Sequence, residues 1–295
     1  MTHPLFRLPI AFVGALFLTA CSSVTSYDYV PSSAPSGVLY DETFDVRSGG
    51  NLQVDLGSEN VTVRAVSGTR ARVTVEGRGR DAEAEFERRR FGTRVIRGDM
   101  TVRTDPPRTN WRGSRNVQAG FQVTIEIPRR YSAAIGLGSG NVDVSSMQGS
   151  LTVDVGSGNV DVEDVEGDRI VLDTGSGNVR AESLRGRVRI DTGSGNVGVG
   201  RVEGELVVDT GSGNVEVAVY EEAPTRIDTG SGGATVRVAR GIGFDVDVDG
   251  SSVRIDDALG FSGSLERDRV RGRIGRGGPT LRVNTGSGSI RLVTA

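Results

Sequence analysis

The sequence predicts an all-β protein: a β-solenoid with coils of about 18 residues and an irregular N-terminal β cap. Three observations support this prediction. Glycine makes up 43 of the 295 residues, which is about twice the usual share. Valine, which favours strands, is the dominant apolar residue. Finally, a glycine-rich motif returns at an almost constant spacing, which is typical of repeat architectures.

The repeated motif is Gly-Ser-Gly-Asn, and it recurs in steps of about 18 residues. Two variant copies follow, one from Gly230 and one from Gly286. The interval between these two is close to three further steps, so we expect degenerate coils between them, around Gly250. The five intact copies begin at Gly138, Gly156, Gly175, Gly193 and Gly211.

Each step contains two short predicted strands. The sequence Asn-Val-x-Val begins one of them, and the other ends in Asp-Thr just before the next motif. Both alternate with period two, which buries one face and leaves the other in water. We expect the glycines to form positive-φ corners and the motif asparagines to form a ladder of amide hydrogen bonds. These asparagines are Asn141, Asn159, Asn178, Asn196 and Asn214.

Identical steps without long loops favour coils that stack along one axis. A meandering antiparallel sheet is the alternative. Residues 132–295 are assigned to the tandem solenoid. Residues 38–131 keep the alternation but lack the tandem motif, and we expect them to form a cap that protects the open end of the stack.

Three segments outside the tandem motif have recognisable patterns. Residues 57–61 look like a drifted copy of the corner, and the charged, alanine-containing residues 81–90 predict one or two helical turns. Residues 262–279 predict an elaboration near the other end of the stack.

The N-terminal residues predict export and lipid anchoring. Residues 1–20 form a signal peptide whose apolar core is too short to span a bilayer. The residues up to Cys21 resemble the bacterial lipobox, which implies acylation of that thiol; an ordinary signal peptide with an incidental cysteine is the alternative. Residues 21–37 predict a flexible tether. By resemblance to other lipoproteins, Ser22 implies sorting to an outer membrane, on either its periplasmic or its surface face.

Several segments resemble the bacterial "putative adhesin" β-strand-repeat family. They are Gly-Asn-Leu-Gln-Val at residues 50–54, Ile-Pro-Arg at 127–129, the tandem motifs, and the closing segments 277–281 and 285–290. The resemblance extends over about residues 40–293. It implies an extracytoplasmic, solenoid-like β domain and no agreed activity.

The side-chain inventory excludes most enzyme chemistry. The chain has no lysine, its single histidine is His3, and its single cysteine is Cys21. A mature, acylated protein therefore lacks the groups for serine or cysteine triads, lysine Schiff bases and histidine-rich zinc sites. The net charge of -3 argues against a nucleic-acid partner. We predict no catalytic residue and no required cofactor.

Aspartates recur just before the corners, within Asp-Thr-Gly-Ser, which resembles the aspartic protease turn. Those enzymes need two facing turns, whereas copies in a repeat stack side by side. We expect each aspartate to accept hydrogen bonds from its own corner. A column of like charges is unfavourable, so calcium is the alternative cofactor, and neighbouring arginines are another way to neutralise the column. The candidates are Asp154, Asp173, Asp191, Asp209 and Asp228.

Arginines cluster within residues 88–90 and 267–276. They predict either a solvated face with acidic partners or a site for an anionic envelope polymer or lipid phosphate. The sequence thus predicts a non-catalytic, lipid-anchored protein of the cell envelope with a structural or adhesin-like surface. Its expected partners are the membrane and an envelope polysaccharide or surface protein. A module that binds envelope glycan or calcium is the alternative, and a glycan lyase-like enzyme is the third hypothesis.

Overall fold

The computed structural model describes residues 37–105 and 117–295, which belong to one compact unit. These residues form 24 strands of one hydrogen-bonded sheet, a helix α1 (Ala82–Arg89) and a 3-10 turn (Asp257–Leu259). The first twelve strands are β1 Gly37–Asp45, β2 Asn51–Leu56, β3 Asn60–Val66, β4 Arg70–Arg78, β5 Phe91–Ile96, β6 Asp99–Thr104, β7 Gly120–Pro128, β8 Ser132–Ser139, β9 Val142–Val144, β10 Met147–Gln148, β11 Leu151–Ser157 and β12 Val160–Ser176. The remaining twelve are β13 Val179–Ser194, β14 Val197–Glu203, β15 Leu206–Ser212, β16 Val215–Val219, β17 Thr225–Ser231, β18 Ala234–Val238, β19 Phe244–Asp249, β20 Ser252–Ile255, β21 Phe261–Leu265, β22 Arg269–Ile274, β23 Thr280–Thr285 and β24 Ser289–Thr294.

The signal peptide, Cys21 and most of the predicted tether lie outside the described residues. In the part of the chain that is described, no helix is long and apolar enough to cross a membrane.

Strands of the repeat stack in parallel, in two rows that meet at the corners. The strands that lead into a corner form the first row: β8, β11, the second halves of β12 and β13, β15 and β17. The strands that leave a corner form the second row: β9, the first halves of β12 and β13, β14, β16 and β18. Equivalent residues pair across each step, as Thr174 with Thr192 does. The prediction of an all-β fold is confirmed, and the parallel pairing excludes the antiparallel meander for the repeat.

Period-two alternation explains the core. Ile170, Leu172 and Thr174 point inward from one strand and are all fully buried, while the residues between them face solvent. The buried threonine is tolerated because its hydroxyl has a partner: Thr174 Oγ1 donates to the carbonyl oxygen of Gly158 at 3.0 Å. Thr192 Oγ1 makes the equivalent bond to Gly177 and Thr229 Oγ1 to Gly213, whereas the buried Thr210 Oγ1 in the coil between them has no hydrogen-bond partner in the described part of the chain. A hydrophobic interior with a polar seam along the corners results.

At the N-terminal end, stacking order departs from chain order. Strands β2 and β3 come first in the repeat-like sequence, yet they lie between two other coils: β6 and β7 on one side, β8 and β9 on the other. The antiparallel strands β4 and β1 extend the second row beyond β7, and β5 extends the first row beyond β6.

The C-terminal end is built in the same way, which corrects the expectation for the interval between Gly230 and Gly286. The last coil, β23 and β24, pairs directly with β17 and β18. Gly286 N donates to the carbonyl oxygen of Thr229 at 2.9 Å, so no degenerate coil lies between these two corners. Strands β19 and β20 stack outside the last coil. The hairpin of β21 and β22 pairs with β19, and the chain then returns to form the inserted coil.

Helix α1 falls within the helical segment expected at residues 81–90, and one of its arginines joins it to the first coil. The Arg89 guanidinium pairs with the carboxylate of Glu59, which is almost completely buried, and with Glu85 of the same helix. It also lies over the Phe121 ring, 4.9 Å from the centroid. In the drifted corner, Glu59 occupies the position of the second motif glycine. Helix α1 therefore docks at a corner whose sequence departs from the repeat.

Candidate functional site: the corner ladders and a glycine-floored groove

The motif asparagines form one continuous column of hydrogen bonds. At each step the backbone N and the side-chain Nδ2 of one asparagine donate to Oδ1 of the asparagine in the preceding coil; for Asn159 and Asn141 the distances are 3.0 and 3.4 Å. The column begins in the drifted corner and ends on the backbone N of Gly233. Its members are Asn60, Asn141, Asn159, Asn178, Asn196 and Asn214. Because every Oδ1 before the last accepts two bonds inside the column, these amides stabilise the stack itself.

The two glycines of each motif are required for different reasons. The second glycine has a left-handed φ: at Gly177 it is +151°, and an added Cβ would lie 1.9 Å from the carbonyl oxygen of Gly158. The first glycine, such as Gly175, has no left-handed φ, but its Cβ would lie 2.6 Å from the Gly156 oxygen. Close approach between successive corners therefore requires glycine at both positions, whereas backbone conformation requires it only at the second.

The five candidate aspartates lie in register on the outer face of the first row, one in each successive coil, as Asp173 does beside Asp191. None accepts a hydrogen bond from the backbone of its own corner in the described residues, because those N–H groups belong to the strand ladder. Two of them instead pair with an arginine on their own strand: Asp191 with Arg189 at 2.9 Å, and Asp228 with Arg226 at 2.5 Å.

In the middle of the column, burial and two acidic neighbours disfavour the ionised form of Asp173. The pKa of Asp173 is raised, first by desolvation and then by Asp191 and Asp154, while Arg189 opposes the shift. Across the described residues, no three His, Cys, Asp or Glu side chains converge as a metal site would require. The aspartates stack side by side and do not face one another, which is not the geometry of a protease dyad.

An open groove of about 1000 Å³ lies on the outer face of the second row and crosses several coils. Gly198 and Gly200 form its floor, because these two outward positions of β14 carry no side chain. Nothing lies within 4 Å of the position that a Cβ on Gly198 would take, so this glycine is not required by packing. The missing side chain opens space and leaves the strand intact.

The two sides of the groove differ in charge. Asp143 and Asp161 are adjacent on one side, and burial together with the charge of Asp161 raises the pKa of Asp143. Arg180 approaches Asp161 only to 3.9 Å. On the other side, Glu216 is paired with Arg237. The groove thus offers carboxylates and a guanidinium along an extended, polar track, a surface suited to an extended polar ligand.

Sequence reasoning missed this groove, although a signal was present. The outward residue of Asn-Val-x-Val varies from copy to copy, and only Val197-Gly198-Val199-Gly200 has glycine at both outward positions. Alternation assigns both glycines to the solvent face. Two successive outward positions without side chains could therefore have been predicted to form a depression.

The two predicted arginine clusters are largely neutralised. In the N-terminal cluster, Arg88 and Arg89 pair with Glu85 and Glu59. Near the other end, the pairs are Arg269 with Asp249, Arg271 with Asp247, and Arg276 with Glu222. The interpretation as a solvated face with acidic partners therefore holds for the pairs near the C-terminal end, whereas Arg89 is largely buried against Glu59 and Phe121.

Parallel coils in register, glycine corners and a continuous amide column define an all-β repeat protein of solenoid-like architecture. The chain belongs to the Toastrack DUF4097 family, whose model matches residues 50–293. The resemblance to the "putative adhesin" repeat proteins is thereby confirmed.

Solved structures similar to this chain include three from Bacteroides and Parabacteroides species. A "putative adhesin" from Bacteroides fragilis is 13% identical, with a TM-score of 0.47, covering 89% of this chain and 99% of that one. A "putative adhesin" from Parabacteroides distasonis is 12% identical, with a TM-score of 0.37 and coverages of 89% and 98%. A "putative lipid binding protein" from the same species is 16% identical, with a TM-score of 0.34 and coverages of 86% and 96%. No curated protein matches the chain.

Proposed function

We propose that this protein is a non-catalytic, lipid-anchored component of the bacterial cell envelope. Its stacked repeat coils, capped by residues 38–131, serve as a structural or adhesin-like surface. The observation that carries the proposal is the pairing of outward charges within and between coils, as in Arg189 with Asp191 and Arg185 with Glu203. A regular face of paired charges is suited to repeated contacts, whereas catalysis needs groups that converge on one point.

The anchor is tested by fractionating cells that produce the full chain. We expect the wild-type protein in the outer-membrane fraction and the Cys21→Ala variant in the soluble fraction, because acyl chains provide the membrane affinity. A Ser22→Asp variant keeps the acylated cysteine and is expected in the inner membrane. Membrane association of Cys21→Ala equal to that of wild type would contradict the lipid anchor.

A second candidate function, binding of an envelope glycan, is favoured by the groove. Its length, open ends and mixed carboxylate and guanidinium lining suit a polymer better than a small molecule. The Gly198→Gln variant places a neutral side chain on the floor, where a Cβ meets nothing, and should block the groove without unfolding the coil.

The experiment for this candidate is cosedimentation with insoluble peptidoglycan, using the mature chain with Cys21→Ala. We expect Gly198→Gln to remove binding. Gly92→Gln is the matched control, because a Cβ at Gly92 also meets nothing and the residue lies on β5, away from the groove. Equal sedimentation of both variants with wild type would exclude the groove as the glycan site.

A further inference from the structure

Two arginines and two serines form a square on the outer face at the C-terminal end of the second row. Ser252 pairs in register with Ser289, and Arg254 with Arg291, on the adjacent parallel strands β20 and β24. The intervening Val253 and Ile290 are buried, so period-two alternation directs all four side chains outward. These side chains line a small concavity of about 220 Å³.

The arginines of this square lack acidic partners. Within the described parts of the chain, neither Arg254 nor Arg291 has a carboxylate within ion-pairing distance, and neither serine hydroxyl has a hydrogen-bond partner. Arg226 and Arg282 provide the contrast: they are also neighbours in register, but Asp228 and Asp247 neutralise them.

Protection of a sheet edge does not explain the arrangement. On the side away from β24, the backbone of β20 is already hydrogen-bonded to the turn before β22: Val253 N donates to the carbonyl oxygen of Arg267 at 3.0 Å, and Gly250 N donates to that of Asp268 at 2.8 Å. Arg291 lies farther in, between β20 and β18. Placing two unneutralised like charges opposite each other is unfavourable, and an anion held between them would remove that cost.

We propose that Ser252, Arg254, Ser289 and Arg291 bind the phosphate group of an anionic ligand. Two guanidinium forks offer parallel N–H donors to tetrahedral oxygens, and the serine hydroxyls supply further donors beside them. The group belongs either to a lipid headgroup or to a soluble phosphorylated compound. The site goes beyond the proposed adhesive function and does not depend on it.

The first experiment titrates inorganic phosphate into the mature chain with Cys21→Ala at constant ionic strength, followed by 31P NMR. We expect Arg254→Gln/Arg291→Gln to lose at least about tenfold in affinity, as the loss of charge-assisted hydrogen bonds implies. The matched control is Arg169→Gln/Arg187→Gln, which removes the same charge from another pair of arginines in register. Equal losses in the two double variants would overturn the proposal, because they would show a general effect of net charge.

A second variant separates recognition from charge. Ser252→Ala/Ser289→Ala keeps both arginines, so reduced phosphate affinity in this variant supports a built site, and unchanged affinity overturns the role of the serines. Circular dichroism verifies that each variant is folded.

Vesicles distinguish the two sources of the phosphate group. Cosedimentation with phosphatidylglycerol vesicles, but not with phosphatidylcholine vesicles, that is lost in Arg254→Gln/Arg291→Gln assigns a lipid headgroup. Phosphate binding without vesicle binding assigns a soluble phosphorylated ligand. Absence of both would overturn the proposal.

Discussion

The centre of the stack and its two ends follow different rules of assembly. From β11 to β18, each coil pairs with the coil that follows it in the sequence. At both ends the first or last coil of the chain is instead inserted between two coils formed by residues nearer the middle. The repeat therefore determines neighbours only in the centre.

The difference shows how the two ends are closed. Each inserted coil is hydrogen-bonded on both sides, which an outermost repeat is not. Most of the outermost strands pair antiparallel with their single neighbour: β1 with β4, β5 with β6, and β21 with β22. Antiparallel turns and short charged strands are common ways to block an exposed sheet edge.

Of the changes considered, removal of the last coil should disturb the C-terminal end most. A chain that ends at residue 278 lacks β23 and β24, which join β17 and β18 to β19 and β20. We expect residues 244–274 to lose their protection in hydrogen exchange as a unit, because their parallel partners are gone.

A shorter chain serves as the control for this truncation. Ending at residue 239 removes the whole C-terminal elaboration but keeps β17 and β18, and we expect both truncated chains to protect residues 132–219 equally. Full protection of residues 244–274 in the chain that ends at 278 would mean that these strands can pair with β17 and β18 directly, as chain order suggests.

A β-branched residue at a corner should cause the next largest loss, here in the stability of the central coils. In Gly177→Val, the new Cβ meets the Gly158 carbonyl oxygen and the left-handed φ resists a branched side chain. We expect destabilisation of roughly 3 kcal/mol or more, measured by urea unfolding. Gly198→Val, in the adjacent coil, is the control and should change stability by less than about 1 kcal/mol, because nothing crowds its Cβ. Equal losses would refute close corner approach as the reason for glycine.

Much of the centre was predictable from sequence because local pattern and long-range contact coincide there. The spacing of Gly-Ser-Gly-Asn gave the register, and the alternation placed Leu172 and Thr174 inside and Asp173 outside. The position of the amide column followed from the same spacing. In a repeat, each coil packs against a near-copy of itself, so the sequence period also tells which residues pair between adjacent coils.

The ends could not be predicted in this way. The spacing of the variant motifs led us to expect coils around Gly250, but spacing carries no information about which strand lies beside which. The insertion of β23 depends on the hairpin of β21 and β22. The antiparallel pairing of this hairpin with β19 is a tertiary contact that the repeat pattern does not specify. The groove and the unneutralised Arg254 and Arg291 depend on side chains from different coils, and only the register brings them together.

The smallest predicted effects concern pH and have opposite signs in the two regions. In the centre, Asp173 has like-charged neighbours and a raised pKa, so its ionised form opposes folding at neutral pH. At the C-terminal end, hydrogen bonds from Arg282 and then Arg271, with their charges, lower the pKa of Asp247 despite its partial desolvation. Its ionised form therefore supports folding at neutral pH.

We expect Asp173→Asn to raise stability at pH 7 and Asp247→Asn to lower it, each by less than about 1 kcal/mol because both side chains are partly solvated. The gain from Asp173→Asn should fade as pH falls through the raised pKa toward the ordinary value of 3.8, where the folded wild type is protonated too. The loss from Asp247→Asn should persist to a lower pH and disappear as the wild-type carboxylate is protonated. Urea unfolding at several pH values measures both changes. Shifts of the same sign would mean that charge is arranged alike in the centre and at the end. Opposite signs would mean that the repeat tolerates a charge cost that the end, free of the repeat's constraint on sequence, has removed.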